Sequence, residues 1–229
     1  MNIRAYGIID VMISNVLFDL DGTISNSSEG VIGCFQHTLK ELTGYYSDEP
    51  SIIKLIGTPI QAIFSDLLQT NDEQLITRAI SIYREKYAEI GVTGNIIYSG
   101  ITDLLSTLRE NSYSVFLVTM KNFQDAEKVI RHLGLDHLIR QIYGPSLEGY
   151  PDNKAELIRS TLDENNLSQN ETVMIGDRKE DIRAGKANGI KTIGVTYGFG
   201  TREEIMESCP DCICHSPDGI LREIEVLSN

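Results

Sequence analysis

The chain has 229 residues, of which 41% are hydrophobic, 23% charged and four cysteine, and its net charge is −13. That size suffices for a buried core with a modest insertion, and no apolar run approaches the ~20 residues of a membrane-spanning helix. The negative balance argues against a nucleic-acid surface, which needs clustered Lys and Arg, so an anionic ligand must be captured by local positive charge.

Residues 1–11 lack the apolar core and small-residue cleavage site of a secretion signal. With Met12 directly before the first strand, they read as a short extension or an over-called start. The apolar run 13–18 reads as a buried strand, and it ends in Asp19-Leu20-Asp21-Gly22-Thr23. Two acids one residue apart at a strand tip must be solvated, share a cation or do chemistry, because nearby like charges oppose each other's ionisation. Gly22 permits a sharp turn and Thr23 can cap the next segment. Asp-Gly is also a common turn dipeptide, so this stretch alone does not separate a site from a solvated loop.

From 28 to 90 strand character disappears. Helices are expected over 29–43, 59–69 and 72–90, the last with Leu75, Ala79, Tyr83 and Tyr87 on one apolar stripe. An insertion of about sixty residues far exceeds the ordinary strand-to-helix loop of roughly 2–6 residues. Lys54, Gly57 and Thr58, with the Asn26-Ser27 hinge, are its candidates for facing a site. The plainer alternative is that Lys54 is solvated and that Gly57 and Pro59 only separate helices.

Strand–helix alternation resumes at 101–110. The apolar run from 114 stops at Thr119 and is followed by Met120, Lys121 and a helix over 123–133. A hydroxyl with free N–H groups at such a junction makes a small anion site, unless Thr119 only caps the helix. Lys154 opens a periodic segment whose apolar face is Leu157, Ile158 and Leu162. A cation at a helix N-terminus opposes the macrodipole and so suggests a counter-charge nearby, if it is not simply solvated. The strand 172–176 ends in Gly176-Asp177, with Glu180 and Asp181 in the following first turn, where acids are often only dipole partners. Asp177, however, stands at its strand tip as Asp19 does.

Cys209, Cys212 and Cys214 with His215 have spacing that could hold zinc or form a redox pair. A short strand over 212–214 before a helix over 217–227, with the thiols as small hydrophobes, fits better. Free thiols suit a reducing cytoplasm, the expected location. No internal repeat or low-complexity linker interrupts the chain.

The expected fold is α/β, a doubly wound, Rossmann-like parallel sheet. All strand C-termini then emerge on one edge, where ligands bind, and the four motifs converge there. Three or four carboxylates, a hydroxyl and a lysine make a hard-cation site beside an oxyanion site, and oxygen ligands suit Mg²⁺.

The ordered set Asp-x-Asp-Gly-Thr, strand-Thr, Lys and Gly-Asp-x-x-x-Asp resembles the haloacid dehalogenase superfamily of aspartate-nucleophile phosphohydrolases, from about residue 13 to near the C-terminus. Ile56-Gly57-Thr58-Pro59-Ile60 and Tyr197-Gly198-Phe199-Gly200 place the likeness in its phosphoglycolate phosphatase-like branch. The resemblance implies a core domain of 1–27 and 91–229 with a helical cap domain, 28–90, inserted after the first strand. It implies that Asp19 is the nucleophile, forming an aspartyl phosphate, and that Asp21 is the general acid and base. It further implies Mg²⁺ held by the Asp19 and Asp177 side chains and the Asp21 backbone carbonyl, with Asp181 supporting them. Thr119 and Lys154 would bind the phosphoryl oxygens, helped by N–H groups of Leu20, Asp21 and Met120. Metal and Lys154, with Lys121 a further source of charge, would offset the repulsion between a carboxylate and a phosphomonoester dianion.

Two departures stand out. Met120 replaces the Asn, Ser or Thr frequent in the family and makes the pocket mouth more apolar, and Asn26 replaces a frequent Asp. The activity implied is Mg²⁺-dependent hydrolysis of a small phosphorylated metabolite, phosphoglycolate first, with nucleoside monophosphates, pyrophosphate and sugar phosphates as alternatives. A sugar phosphomutase shares the core constellation. A receiver-type phosphoacceptor would gather similar groups, but on a middle strand and without the insertion. No nucleic-acid or membrane partner is expected, and monomer and dimer both stay open.

Overall fold

The computed structural model describes residues 12–145 and 153–228, so the expectation for residues 1–11 lies outside the described part. The chain opens with β1 (Asn15–Phe18) and the two-residue β2 (Ser25–Asn26). The helices α1 (Ser28–Thr43), α2 (Glu49–Ile53), α3 (Ile60–Leu68) and α4 (Glu73–Lys86) come next, the last running into a π-helical turn, Tyr87–Gly91. After β3 (Ile96–Ile97) come α5 (Ile101–Glu110), β4 (Ser114–Val118), α6 (Phe123–His132), β5 (Gln141–Tyr143) and α7 (Lys154–Asn165). The chain finishes with β6 (Thr172–Gly176), α8 (Lys179–Ala187), β7 (Lys191–Val195), α9 (Arg202–Glu207), β8 (Cys212–Cys214) and α10 (Ile220–Leu227).

Six strands form one sheet in the order β5-β4-β1-β6-β7-β8, with every neighbouring pair parallel. The chain winds outward from β1 to β5, then returns to the other side of β1 and winds outward again. Such a reversal leaves a crevice beyond the strand C-termini, here between β1 and β6.

Side-chain alternation divides the sheet's apolar residues between its two faces. Val16 and Phe18 of β1, with Val115, Leu117, Val173 and Ile175, pack with α5, α6 and α10 through Leu105, Val129 and Ile224. Leu17, Phe116, Val118 and Met174 point the other way, against Leu157, Ile158 and Leu162 of α7. The apolar face expected for the segment opened by Lys154 is therefore a sheet-packing face.

The helices α1–α4 carry an apolar cluster of their own, built on Val31, Phe35, Ile52, Ile63, Phe64, Ala79, Tyr83 and Tyr87. Phe35, Phe64 and Tyr83 meet with ring centroids 4.5–6.0 Å apart. Two chain crossings join this helical layer to the sheet, and they pair as the antiparallel ribbon β2–β3. Ser25 Oγ donates to Asn95 Oδ1 across it (3.3 Å), and Asn95 Nδ2 donates to the Gly91 carbonyl (2.8 Å).

Two local expectations need correction. The helix read over 72–90 is α-helical only to Lys86 and widens into the π-helical turn. There the backbones of Gly30, Gly91 and Gly94 pack closely, since a Cβ on Gly94 would lie 2.5 Å from Gly30. The short helix α2 is additional to the elements expected. Asp48 caps it by accepting from Ser51 N, and Pro50 sits in its first turn, but five residues are too few for a periodic signal.

Candidate active site

Asp19 is the first residue beyond β1, and its N–H donates to the Ile175 carbonyl of β6 (3.0 Å). It thus stands at the sheet's reversal, and Asp177, one residue beyond β6, stands beside it. Oxygens of Asp19, Asp177 and Asp181, all buried, lie within 4.8 Å of one another. Lys154, the first residue of α7, reaches this group from the other side of β1. Its Nζ lies 2.5 Å from Asp19 Oδ1 and 2.9 Å from Asp181 Oδ1. Its position at a helix N-terminus, unfavourable in isolation, is explained by these two buried carboxylates.

Three acids around one ammonium leave an excess of negative charge in a medium that solvates it poorly. Burial, with Asp181 and Asp19 nearby, pushes the Asp177 carboxyl up to about 8. Burial also raises Asp19 to about 6, against the lowering by Lys154. Burial works against the Lys154 charge, but Asp181 and Asp19 outweigh it and hold the ammonium above its ordinary range. A hard divalent cation answers both the charge excess and the donor chemistry, because Mg²⁺ prefers carboxylate and carbonyl oxygens.

The acids are wired differently. Asp177 Oδ1 accepts from Thr23 Oγ1 (3.2 Å), and its Oδ2 accepts from the N–H groups of Phe199 (2.7 Å) and Gly200 (3.3 Å). Asp181 spends Oδ1 on Lys154 and Oδ2 on the Arg178 N–H (3.0 Å), which makes it a bracket for the other two. Gly22 adopts φ +89°, and a Cβ there would strike the Asp177 carboxylate at 2.2 Å, so the Asp-Gly turn is shaped to admit this acid.

Asp21 stands apart from this group. Both its oxygens accept from Lys121 Nζ, at 3.0 and 2.8 Å, and the same ammonium lies 4.9 Å from the Tyr87 ring centroid. Its side chain is therefore not one of the carboxylates that converge at the sheet's reversal. Thr119 is buried and its Oγ1 accepts from the Lys121 N–H (3.2 Å). Leu20 buries its side chain in the core, so only its main chain is left to serve the site.

A cavity of about 410 Å³ opens over this floor. Asp19, Asp21, Thr119, Met120 and Lys121 form its base, and Phe35, Ile56, Ile60, Ile63, Tyr83 and Tyr87 of the helical layer form its wall. Gly57 and Thr58 lie on that wall. Lys54 does not: its side chain is exposed, and its carbonyl accepts from Arg178 Nη2 (3.0 Å). The cysteine–histidine stretch makes no metal cluster among the described residues. Cys214, the last residue of β8, is buried in the core, and the His215 ring lies 2.7 Å from Thr196 Oγ1.

Lys121, Arg178 and the aromatic wall go largely unread in the sequence. The one available signal for Arg178 is a charged residue directly after a strand-tip acid, inside a junction that has to be buried.

An α/β fold with a strand-tip aspartate, a partnered lysine and further acids at the sheet's reversal defines a phosphoryl-transfer type of centre. Comparison with known proteins agrees. Residues 16–195 match the family described as haloacid dehalogenase-like hydrolase. A 5'-nucleotidase of Pseudomonas aeruginosa is 36% identical over 87% of this chain and 90% of its own length. A putative pyrophosphatase, PpaX, of Clostridium perfringens is 30% identical over 95% of this chain and all of its own. The crystal structure of a predicted phosphatase from Clostridium acetobutylicum superimposes with a TM-score of 0.88 at 32% identity, covering 94% of this chain and 99% of that one. The chain belongs to the haloacid dehalogenase-like hydrolase family. It is a phosphatase of that family, a phosphoric monoester hydrolase. Among the described residues no helix is long and apolar enough to cross a membrane.

Proposed function

We propose that the chain is a Mg²⁺-dependent phosphomonoesterase working through an aspartyl phosphate on Asp19, with nucleoside monophosphates as its substrate class. The observation that carries the reading is the Asp19 carboxylate, paired with Lys154 and beside Asp177, at the floor of the cavity. Asp19, Asp177 and the Asp21 carbonyl would hold the metal, which when bound supplies charge neutralisation for the phosphoryl oxygens.

Asp19 attacks phosphorus as the bond to the leaving oxygen breaks, and Asp21 delivers a proton to that oxygen. Asp21 then takes a proton from the water that cleaves the acyl phosphate, restoring Asp19 and releasing inorganic phosphate. Lys154 and Thr119 hold the equatorial oxygens, whose charge grows toward the transition state. Residues 28–90 act as a cap that shuts water out and grips the leaving group, over a core of 1–27 and 91–229.

The wall favours the nucleotide among the substrates considered. Phe35, Tyr83, Tyr87 and Ile60 offer apolar and aromatic surface, which suits a planar base. Two-carbon phosphoglycolate brings a second carboxylate, and of the two cations lining the cavity Lys121 is already paired with Asp21, which leaves Arg84 of α4. Similarity to the 5'-nucleotidase supports the same choice. Steady-state assays with a panel of nucleoside 5'-monophosphates, phosphoglycolate, pyrophosphate and sugar phosphates, with and without Mg²⁺, test it. A nucleotide should lead phosphoglycolate by at least about tenfold in kcat/KM, and the reverse order would overturn the assignment.

A further inference from the structure

We infer that Arg178 is a positioning residue that seats the cavity's 54–58 lip over the phosphoryl site, an inference that rests on the phosphatase reading above. Arg178 follows Asp177 directly, and its own N–H is held by Asp181 Oδ2 (3.0 Å). Its main chain is therefore part of the acidic floor. Its side chain is 9% exposed and crosses to the helical layer, where Nη1 donates to the Ile56 carbonyl (2.9 Å) and Nη2 to the Lys54 carbonyl (3.0 Å).

Those two carbonyls come just after α2, where a helix leaves acceptors without partners of its own. A basic side chain commonly satisfies such groups from within the same helix; here it arrives from the sheet. Glu204 fixes the fork, since its Oε1 accepts from Arg178 Nε (3.0 Å) and from the Lys179 N–H (3.0 Å). A planar guanidinium holds its three acceptors from three separate nitrogens in one fixed plane, which a compact ammonium cannot reproduce. The lip also rests on the stem of the arginine: at Gly57, φ +97°, a Cβ would lie 3.3 Å from Arg178 Cγ.

Residues 56–60 line the cavity immediately beyond this contact. One residue thus ties the height of the wall to the position of the floor. Phe199 repeats the arrangement, with its N–H on Asp177 and its ring packed into the helical layer's cluster.

The test uses the intact chain with Arg178→Met and Arg178→Lys, a nucleoside 5'-monophosphate, and acetyl phosphate, an acyl phosphate too small to need the wall. In Arg178→Met the KM for the nucleotide should rise at least about tenfold, the loss of one net charge-assisted hydrogen bond or more, while kcat for acetyl phosphate changes less than about threefold. Arg178→Lys should fall between, because it keeps the charge without the fork. Amide exchange over 52–58 should accelerate while β1 and β6 keep their protection. Equal losses on both substrates would reduce Arg178 to a support for Asp177, and unchanged exchange over 52–58 would overturn the inference outright. If the wild-type chain cleaves neither compound, the phosphatase reading falls, and the exchange measurement still decides whether Arg178 seats the lip.

Discussion

The floor and the wall of the cavity are built on opposite terms. The floor rests on Asp19, Asp177, Asp181 and Lys154, gathered from strand tips and helix starts, of which Asp19 lines the cavity, and ion pairs and hydrogen bonds hold all four. The wall is carried by one helical layer with its own apolar cluster, and its residues touch mostly rings and methyl groups. A floor of this kind holds charge at a standing cost in stability, whereas the wall stabilises the fold and defines shape. Neutralising Asp19 on the floor should therefore remove activity without unfolding the chain, and removing a polar atom from the wall should do little to either.

Asp19→Asn breaks the floor most directly. It is nearly isosteric and cannot form the acyl phosphate, so turnover should fall by at least about a thousandfold. Stability should hold or rise. Asp19 has its carboxyl raised to about 6 in the fold from an ordinary 3.8, so above the lower value the folded chain ionises it less readily than the unfolded chain, and its charge destabilises. Phosphate release and thermal melting at pH 7.5 check both halves. A variant that melts well below wild type, or turns over at a comparable rate, would remove the contrast between floor and wall.

The next effect comes from the cation. Asp19 and Asp177 have folded values near 6 and 8, both above the ordinary carboxylate range. Between about pH 4 and 8 the folded chain therefore holds more protons than the unfolded one, and metal-free stability should decline as pH rises through that window. A cation bound by the ionised acids reverses this, and it must displace their protons to bind. At a concentration about a hundred times its dissociation constant, Mg²⁺ should raise the melting temperature by roughly 5–10 °C at pH 8. The gain should shrink markedly at pH 5.5. Calorimetry in chelator and in Mg²⁺ at the two pH values measures it, and an equal gain at both would dissociate the cation from these carboxylates.

The same contrast explains what could be read from residue order. Asp19, Asp177 and Lys154 sit at strand and helix ends whose apolar runs are short and clear, and the sheet's parallel winding brings such ends to one edge. The register of the core, with Val16 and Phe18 facing away from Leu17, comes from the period of two. Lys121 was legible only as a spare charge, because its pairing with Asp21 joins residues a hundred positions apart. Arg178 was hidden for a similar reason: its partners are main-chain carbonyls at Lys54 and Ile56, which no side-chain pattern announces. The wall's shape depends on how four helices tilt, and a helical stripe such as Ala79, Tyr83 and Tyr87 tells which side is apolar without telling what it faces.

The smallest expected effect tests the wall alone. The Tyr87 hydroxyl is buried without a hydrogen-bond partner among the described residues; Lys121 and Asn95 approach it without completing a bond. An unpaired buried hydroxyl carries its desolvation cost with nothing gained in return, and the ring, not the oxygen, makes the contacts with Tyr83 and the Lys121 ammonium. Tyr87→Phe keeps that ring, so it should leave stability within about 0.5 kcal/mol of wild type or slightly above it. Turnover of a nucleoside monophosphate should stay within about twofold, as expected for a wall that binds through shape and apolar contact. Denaturant unfolding and steady-state kinetics on the one variant are enough. A loss beyond about 1.5 kcal/mol would mean that the hydroxyl contributes a bond to the fold, and a selective rise in KM would mean that it reaches the leaving group, so that the wall, like the floor, recognises its ligand through polar atoms.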